Sequence, residues 1–364
     1  MFDLNLVGKN SKNNPLPQGL KDSWKKELRE AIKTSSALEE ILKVKIPRTS
    51  YPIFIPKRLA LKIYKAGSES ILWKQFVPRQ DENSPLGMED PIGDHKHSKE
   101  GRIIHRYKNR LLFLPTPLCP VICRYCFRKN ELAEPDSLFE GQLKETIAYL
   151  KKHPEVNEVI LSGGDPLIMS DEKLESILKA FASVGSIKYL RFHSRTPIVL
   201  PSRVTDSFCD LLNKYGQVFK KLIVALHLNH IDEVDEEVKR AIDKLKNSRV
   251  ELLSQSVLLK DINDDVQSLM DLFIGLSDLG VRPYYLHHPD RVKGGMHFTL
   301  SLTEGRMLYH ALRDVLPGWS LPQYVIDIPG GHGKTPAYNP EDFDFSGHLI
   351  SKDGEKLVIP PIQQ

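Results

Sequence analysis

Three cysteines stand close together in the run Cys119-Pro-Val-Ile-Cys123-Arg-Tyr-Cys126, directly behind an apolar segment typical of a β-strand. A structural zinc ion takes four protein ligands, and three thiolates in so short a span leave that shell incomplete. Three thiolates can instead hold three corners of a [4Fe–4S] cluster and leave the fourth iron open to an external ligand. The spacing therefore predicts an iron–sulfur cluster. A zinc knuckle that borrows a distant His or Cys is the alternative.

The cysteine spacing resembles the fingerprint of the radical S-adenosylmethionine (radical SAM) enzymes. That resemblance implies that the open iron binds S-adenosylmethionine and passes one electron to its sulfonium. Ser162-Gly163-Gly164-Asp165 follows the next predicted strand, where glycines let the backbone approach a ligand and Asp165 could accept a hydrogen bond from an ammonium group. These four residues resemble the superfamily segment that binds the methionine amino group, although read alone Gly-Gly-Asp-Pro is a plain turn.

A single lysine lies in the Gly-rich stretch Pro329-Gly-Gly-His-Gly-Lys334-Thr-Pro, after the last apolar strand. An amine without bulky neighbours can reach an aldehyde and form a Schiff base, whereas a surface turn is the simpler explanation. With Asp327 in front of it, the stretch resembles the pyridoxal phosphate segment of the lysine 2,3-aminomutase family. His332 stands where that family usually has Gly. The resemblance runs from about His105 to Pro336 and implies that Lys334 is the catalytic residue that binds pyridoxal 5′-phosphate.

Further site residues take their roles from the same resemblance, and planar guanidinium groups suit phosphate and carboxylate oxygens. The implied roles are cofactor phosphate binding for Arg106, Tyr107 and Arg110, nucleotide contact for Gln255, and substrate carboxylate binding for Arg128.

Asp290 and Asp327 stand at the two positions that bind the distal ammonium of lysine in this family. Two carboxylates attract an ammonium group and repel the side chain of glutamate. We therefore expect an isomerase that moves the amino group of L-lysine from C2 to C3. One alternative is the same chemistry making (R)-β-lysine for elongation factor P, which the short length favours. Others are an aminomutase acting on glutamate, a radical SAM enzyme that modifies RNA, and a non-catalytic iron–sulfur module.

Alternating apolar strands and amphipathic helices fill the sequence from Leu111 onward, which predicts βαβ units and a parallel sheet. The expected strands are 111–115, 157–162, 187–193, 219–226, 250–257 and 281–286. The expected helices are 137–152, 171–184, 203–214, 231–247, 264–279 and 303–315. Six units are too few for a closed eight-fold barrel. Periodicity alone also allows an open doubly wound sheet, and the resemblance implies the partial (β/α)6 barrel of radical SAM enzymes.

We predict an α/β protein with three parts: an N-terminal helical extension and linker (1–100), the partial barrel (101–300) and a C-terminal segment with the lysine (301–364). In the first part, a helix is expected from Ser23 to about Val44 and another from Lys57 to Ala66. The stretch from Arg79 to Glu100 is acidic and poorly periodic, so it is predicted to be a connecting loop. A final hairpin is expected around Asp353-Gly354.

The composition, with 40% hydrophobic and 27% charged residues, is ordinary for a soluble globular enzyme. A net charge of +4 over 364 residues gives no argument for nucleic acid as a partner. Four cysteines, three of them clustered, do not form a disulfide framework, and neither a signal peptide nor a membrane span is apparent, so we expect a cytoplasmic protein. The expected partners are an amino acid substrate and an electron donor such as flavodoxin or ferredoxin. Asp265 replaces a zinc-ligating Cys of larger relatives, so any homo-oligomer would lack their zinc-linked interface.

Overall fold

A computed structural model of the chain describes residues 23–133, 138, 141–338, 348–350 and 356–358. Among these residues, the centre is a sheet of ten strands that lie side by side in chain order. The strands are β1 (Ser98–Lys99), β2 (Ile103–Tyr107), β3 (Arg110–Thr116), β4 (Glu158–Gly163), β5 (Tyr189–Ser194), β6 (Lys221–His227), β7 (Glu251–Val257), β8 (Arg282–His287), β9 (Gln323–Ile328) and β10 (Gly333–Pro336).

Neighbouring strands from β3 to β9 run parallel, whereas β2 and β10 pair antiparallel at the two ends of that run. Strand and helix alternate through this part of the chain, so the predicted partial (β/α)6 barrel is confirmed. The six predicted parallel strands fall within two residues of their observed limits. The helices between the strands are α5 (Lys129–Ala133), α6 (Leu143–Lys152), α7 (Asp171–Ala182), α8 (Thr196–Val199), α9 (Asp206–Tyr215), α10 (Glu236–Lys246), α11 (Val266–Asp278) and α12 (Leu302–Val315).

The two faces of the curled sheet have different environments, as the period of two in a β-strand requires. On β5, Leu190 and Phe192 are fully buried in the main hydrophobic core under the helices. Arg191 and His193, which alternate with them, line a cavity on the inner face. The apolar face therefore holds the barrel together, while the inner face carries the polar side chains.

Four helices precede the barrel and share a separate hydrophobic cluster. The prediction of one helix from Ser23 to about Val44 is wrong, because the chain leaves the helix near residue 30 and Ile32 pairs with Ile55 in a short bridge. The Thr34 hydroxyl then accepts a hydrogen bond of 3.2 Å from the first turn of the next helix and caps it. The helices are α1 (Ser23–Arg29), α2 (Ser35–Leu42), α3 (Lys57–Ala66), which is confirmed as predicted, and α4 (Ile71–Phe76).

Two short strands, β11 (His348–Ile350) and β12 (Lys356–Val358), pair antiparallel as the predicted hairpin requires. The expected turn at Asp353-Gly354 lies outside the described residues. In the part of the chain that the structure describes, no helix has both the length and the apolar character needed to cross a membrane.

Candidate active site

A cavity of about 400 Å³ opens at the carboxyl ends of the parallel strands, on the inner face of the sheet. Every residue that the sequence nominated for the site lines this one cavity. They are Arg106, Tyr107, Arg110, Cys119, Cys123, Cys126, Arg128, Ser162, Gly163, Gly164, Asp165, Gln255, Asp290, Asp327 and Lys334.

The loop that carries the three cysteines leaves the end of β3 and is fastened to the N-terminal helical region. Ile122 donates its backbone N–H to the Phe54 carbonyl at 3.0 Å, and Arg124 donates to the Gln75 carbonyl at 2.9 Å. These contacts, made outside the barrel, fix the backbone on which the thiols stand. The cysteine side chains themselves are half-buried and face the cavity.

Burial raises the pKa of all three thiols, that of Cys126 to about 12. The charge of Cys126 acts on Cys119, and that of Cys123 on Cys126, in the same direction, so the three thiols are electrostatic neighbours. Such thiols become thiolates beside a bound cation, and this donor set fits an iron–sulfur cluster. Within the described residues, no group of three or more His, Cys, Asp or Glu side chains could hold a single metal ion. An iron–sulfur cluster does not require its ligands to converge on one ion, since each thiolate binds a different iron.

The two residues between Cys123 and Cys126 anchor the loop through buried charges that the sequence did not reveal. Arg124 donates from Nε to Glu82 at 2.9 Å, and both side chains are buried. Tyr125 accepts a hydrogen bond from Arg195, which also pairs with Glu233 and reaches Gln75 at 3.1 Å. Each anchor therefore joins the cysteine loop to a different part of the chain.

Glu82→Gln is expected to destabilise the fold by about 3–5 kcal/mol, because it strands the buried Arg124 guanidinium. It also removes the anion beside the buried Lys129 ammonium, which lies 3.1 Å from Glu82. Chemical denaturation of the cluster-free protein measures the change. Glu89→Gln is the matched control, since Glu89 pairs with Lys293 at the surface and such pairs contribute at most about 1 kcal/mol. Equal shifts for the two variants would contradict a stabilising role for the buried network.

The Gly-Gly-Asp stretch packs directly against the start of the cysteine loop. A side chain at Gly164 would come within 2.2 Å of the Leu118 carbonyl, so only glycine fits this approach. Asp165 accepts hydrogen bonds from the backbone of Leu167, Arg195 and Thr196 and from the Ser194 hydroxyl, at 2.7 to 3.0 Å. The carboxylate oxygens are thus saturated by the protein, and Asp165 ties β4 to β5. The expected bond from Asp165 to an ammonium group gains no support from these contacts.

Lys334 was expected on an unhindered loop but lies in β10, where it pairs with Asp327 of β9 across the ladder. The tight turn Pro329–His332, with Gly330 and Gly331 at positive φ, brings the chain back on itself. The Lys334 ammonium donates to the Asp327 carboxylate and lies 3.1 Å from Nδ1 of His287. The Lys334 backbone N–H also donates to the Tyr107 hydroxyl at 2.7 Å. The amine is therefore held inside the cavity by a strand.

Asp290 lies beside Asp327, as the family resemblance implied. Burial raises the pKa of Asp290 to about 8, the neighbouring Asp327 carboxylate adds to the rise, and the Lys334 ammonium opposes it. Two neighbouring carboxylates in a partly buried site repel each other, and a bound cation relieves that repulsion. The pair therefore attracts a cation strongly.

Asp94 is a site residue that the sequence analysis missed. It is 2% exposed and accepts hydrogen bonds from both Arg106, at 2.9 Å, and Arg128. Arg106 lies 3.6 Å from Asp327, and Arg128 lies 3.6 Å from Glu131. Anions and cations therefore alternate along one row of side chains, which runs Glu131, Arg128, Asp94, Arg106, Asp327, Lys334. Asp94 belongs to the segment predicted as a connecting loop, and its pattern carries no signal that would have marked it.

The remaining polar residues of the cavity include His227, the last residue of β6. His227 bonds to the Tyr125 hydroxyl at 2.9 Å, and burial lowers its pKa well below the usual value. His230, three residues further along the chain, accepts a hydrogen bond from the Asp232 backbone. Both histidines are therefore engaged in hydrogen bonds within the protein. Arg110 stacks on the Tyr107 ring at 3.9 Å and is positioned by it.

Comparison with known proteins gives matches along most of the chain. Residues 113–273 match the family described as "Radical SAM superfamily". An L-lysine 2,3-aminomutase from Escherichia coli (strain K12) is 35% identical over 82% of this chain and 87% of its own. One from Methanococcus maripaludis is 35% identical over 93% of this chain and 79% of its own. Among solved structures, Streptococcus suis SuiB bound to S-adenosylmethionine matches with 16% identity and a TM-score of 0.47, over 64% of this chain and 52% of that chain.

Proposed function

This chain belongs to the L-lysine 2,3-aminomutase family of radical SAM enzymes, and we propose that it moves the amino group of L-lysine from C2 to C3 to give β-lysine. The observation that carries the choice of lysine is the Lys334 ammonium, which is already bound by Asp327 beside Asp290 in the cavity. The acid pair is thus chemically suited to the distal ammonium of a lysine substrate. The three cysteines line the same cavity, so a radical source and an amine site would share one space.

Three groups would be held by residues of this cavity. Cys119, Cys123 and Cys126 would hold the [4Fe–4S] cluster. Residues 162–164 and Gln255 would contact S-adenosylmethionine, with Asp165 holding the ends of β4 and β5 together behind them. Lys334 would hold pyridoxal phosphate with the help of Arg106, Tyr107 and Arg110. When bound, these groups supply one electron, a carbon radical that abstracts hydrogen, and an aldehyde that takes up an amine.

The fit to pyridoxal phosphate rests on two observations. The first is that the primary amine of Lys334 lies in the cavity. The second is that Tyr107 connects this lysine to a guanidinium group, because the Tyr107 hydroxyl accepts from the Lys334 backbone and the Arg110 guanidinium lies over the Tyr107 ring. Arg106 has its Nη donors engaged by the Ile92 carbonyl and two carboxylates. Arg110 is therefore the stronger candidate for the phosphate group, and Arg106 the stronger candidate for orienting the acids.

The protein's own residues would bind and orient the substrate at both ends. Arg128 is buried, and among the described residues its Nη1 has only a long contact of 3.5 Å, to the Gly163 carbonyl, so this donor can serve the substrate carboxylate. Asp290 and Asp327 would take the distal ammonium and repel a carboxylate there, which disfavours glutamate. Holding both ends fixes the carbon between them relative to the cysteines, and such positioning accounts for a large part of enzymatic rate enhancement.

Borohydride reduction of the protein loaded with pyridoxal phosphate, followed by peptide mapping, tests the assignment. We expect the pyridoxyl group on Lys334 and conversion of L-lysine to β-lysine by the reconstituted enzyme, with glutamate left unchanged. Lys129 is the matched alternative, since it also lines the cavity and burial lowers its pKa to about 8. A label on Lys129, together with an active Lys334→Ala variant, would contradict the proposal.

A further inference from the structure

The acid pair at the end of β8 and β9 has an occupant that belongs to the chain itself. The Lys334 ammonium contacts the Asp327 carboxylate directly and lowers the pKa of Asp290 against the rise that burial causes. These are the two carboxylates proposed above for the distal ammonium of the substrate. One amine therefore occupies the place that another amine would need.

The surroundings of Lys334 make this contact a complete ammonium site. His287 accepts from the other side at 3.1 Å, and burial, followed by the charge of Lys334, keeps the pKa of His287 well below its usual value. The Tyr285 ring lies 5.5 Å from the ammonium, within the range of a cation–π contact. The carboxylate, the neutral imidazole and the aromatic face together stabilise the charge of the Lys334 ammonium at this position.

A second ammonium would meet unfavourable charge in the same place. Asp327 already lies between the Lys334 ammonium and the Arg106 guanidinium, the latter at 3.6 Å. A ligand ammonium would have to share the Asp327 carboxylate with these two cations. Like charges in a partly buried site repel strongly.

We propose that the Lys334 ammonium is a built-in competitor for the substrate's distal ammonium, so that the cofactor-free protein excludes L-lysine. Lysine then binds only to protein in which this ammonium has left the acids. Binding is thereby ordered, with the cofactor first and the amino acid second. This inference rests on the proposed function, because it takes Asp290 and Asp327 to be the substrate's ammonium site.

Calorimetric titration of cofactor-free proteins with L-lysine tests the inference without any catalytic turnover. Lys334→Met keeps the length of the side chain and removes its charge, so it should bind lysine about tenfold more tightly than the wild type, or better. Lys334→Gln should show the same direction and guards against a folding defect in one variant. Norleucine, which lacks the distal ammonium, should gain nothing from either substitution.

Lys293→Met is the matched control, because Lys293 forms an exposed pair with Glu89 close to Asp290 in the chain. It should leave lysine binding at the wild-type level. Equal affinity of the wild type and both Lys334 variants for lysine would overturn the competitor role. If the cofactor-loaded wild type itself fails to prefer lysine over norleucine, the assignment of the acid pair, and with it the proposed function, fails instead.

Discussion

Cys119→Ala is expected to abolish the [4Fe–4S] absorption and the reductive cleavage of S-adenosylmethionine. Three protein thiolates bind three of the four irons and leave one open. Without Cys119 only two protein ligands remain, and we expect the cluster to be lost. The thiols are half-buried in the cavity wall, and the loop has no fourth cysteine that could replace Cys119. Iron content, the visible spectrum after anaerobic reconstitution, and release of 5′-deoxyadenosine measure the effect.

Cys209→Ala is the matched control for this experiment. Cys209 lies on α9, where its thiol is 3.9 Å from the Lys244 carbonyl, and it does not line the cavity. Its replacement should leave iron content and cleavage unchanged. A Cys119 variant with full iron content would refute the assignment of the cysteine loop as the cluster site.

Asp290→Asn and Asp327→Asn should each reduce kcat/KM for L-lysine by a hundredfold or more. Removing one partner of a buried ion pair typically costs about 3–5 kcal/mol, and each substitution leaves the substrate ammonium with half of its counter-charge. Pyridoxal phosphate should still load, because the Lys334 amine and the Arg110 guanidinium remain. Steady-state kinetics and the cofactor's visible absorption separate the two effects.

Analogues without the distal charge should narrow the difference between these variants and the wild type. Asp271→Asn serves as control, since Asp271 is an exposed acid on α11. Unchanged lysine kinetics in both Asp290 and Asp327 variants would place the substrate pocket elsewhere and remove the argument for lysine.

Much of the barrel could be predicted from the sequence because its strands are short, apolar and separated by amphipathic helices. Strand β6, for example, was expected at 219–226 and spans Lys221–His227. The roles of Asp290 and Asp327 came from the family resemblance, and both residues line the cavity at the edge where the parallel strands end. The Gly-rich residues around Lys334 identified it as a site residue, but they predicted a loop and not the strand β10.

The polar framework behind the site could not be predicted in this way. Glu82 and Asp94 lie in an irregular segment with no period, and only their three-dimensional partners distinguish them from surface acids. The four neighbouring donors that bind the carboxylate oxygens of Asp165 are likewise not visible in the sequence. The break after α1 depends on the pairing of Ile32 with Ile55, a contact between distant residues that outweighs local helix preference.

The anchoring of the cysteine loop has a consequence for how a cluster is acquired. Ordering a free loop of this length would lose conformational entropy at about 1–2 kcal/mol per residue, and that loss would oppose metal capture. Here Arg124, with Glu82, and Tyr125, with Arg195, order the loop as part of ordinary folding. The entropy is therefore lost before iron arrives, and the cluster-free protein presents a preorganised receptor. Cluster assembly then resembles the docking of a rigid ligand more than coupled folding.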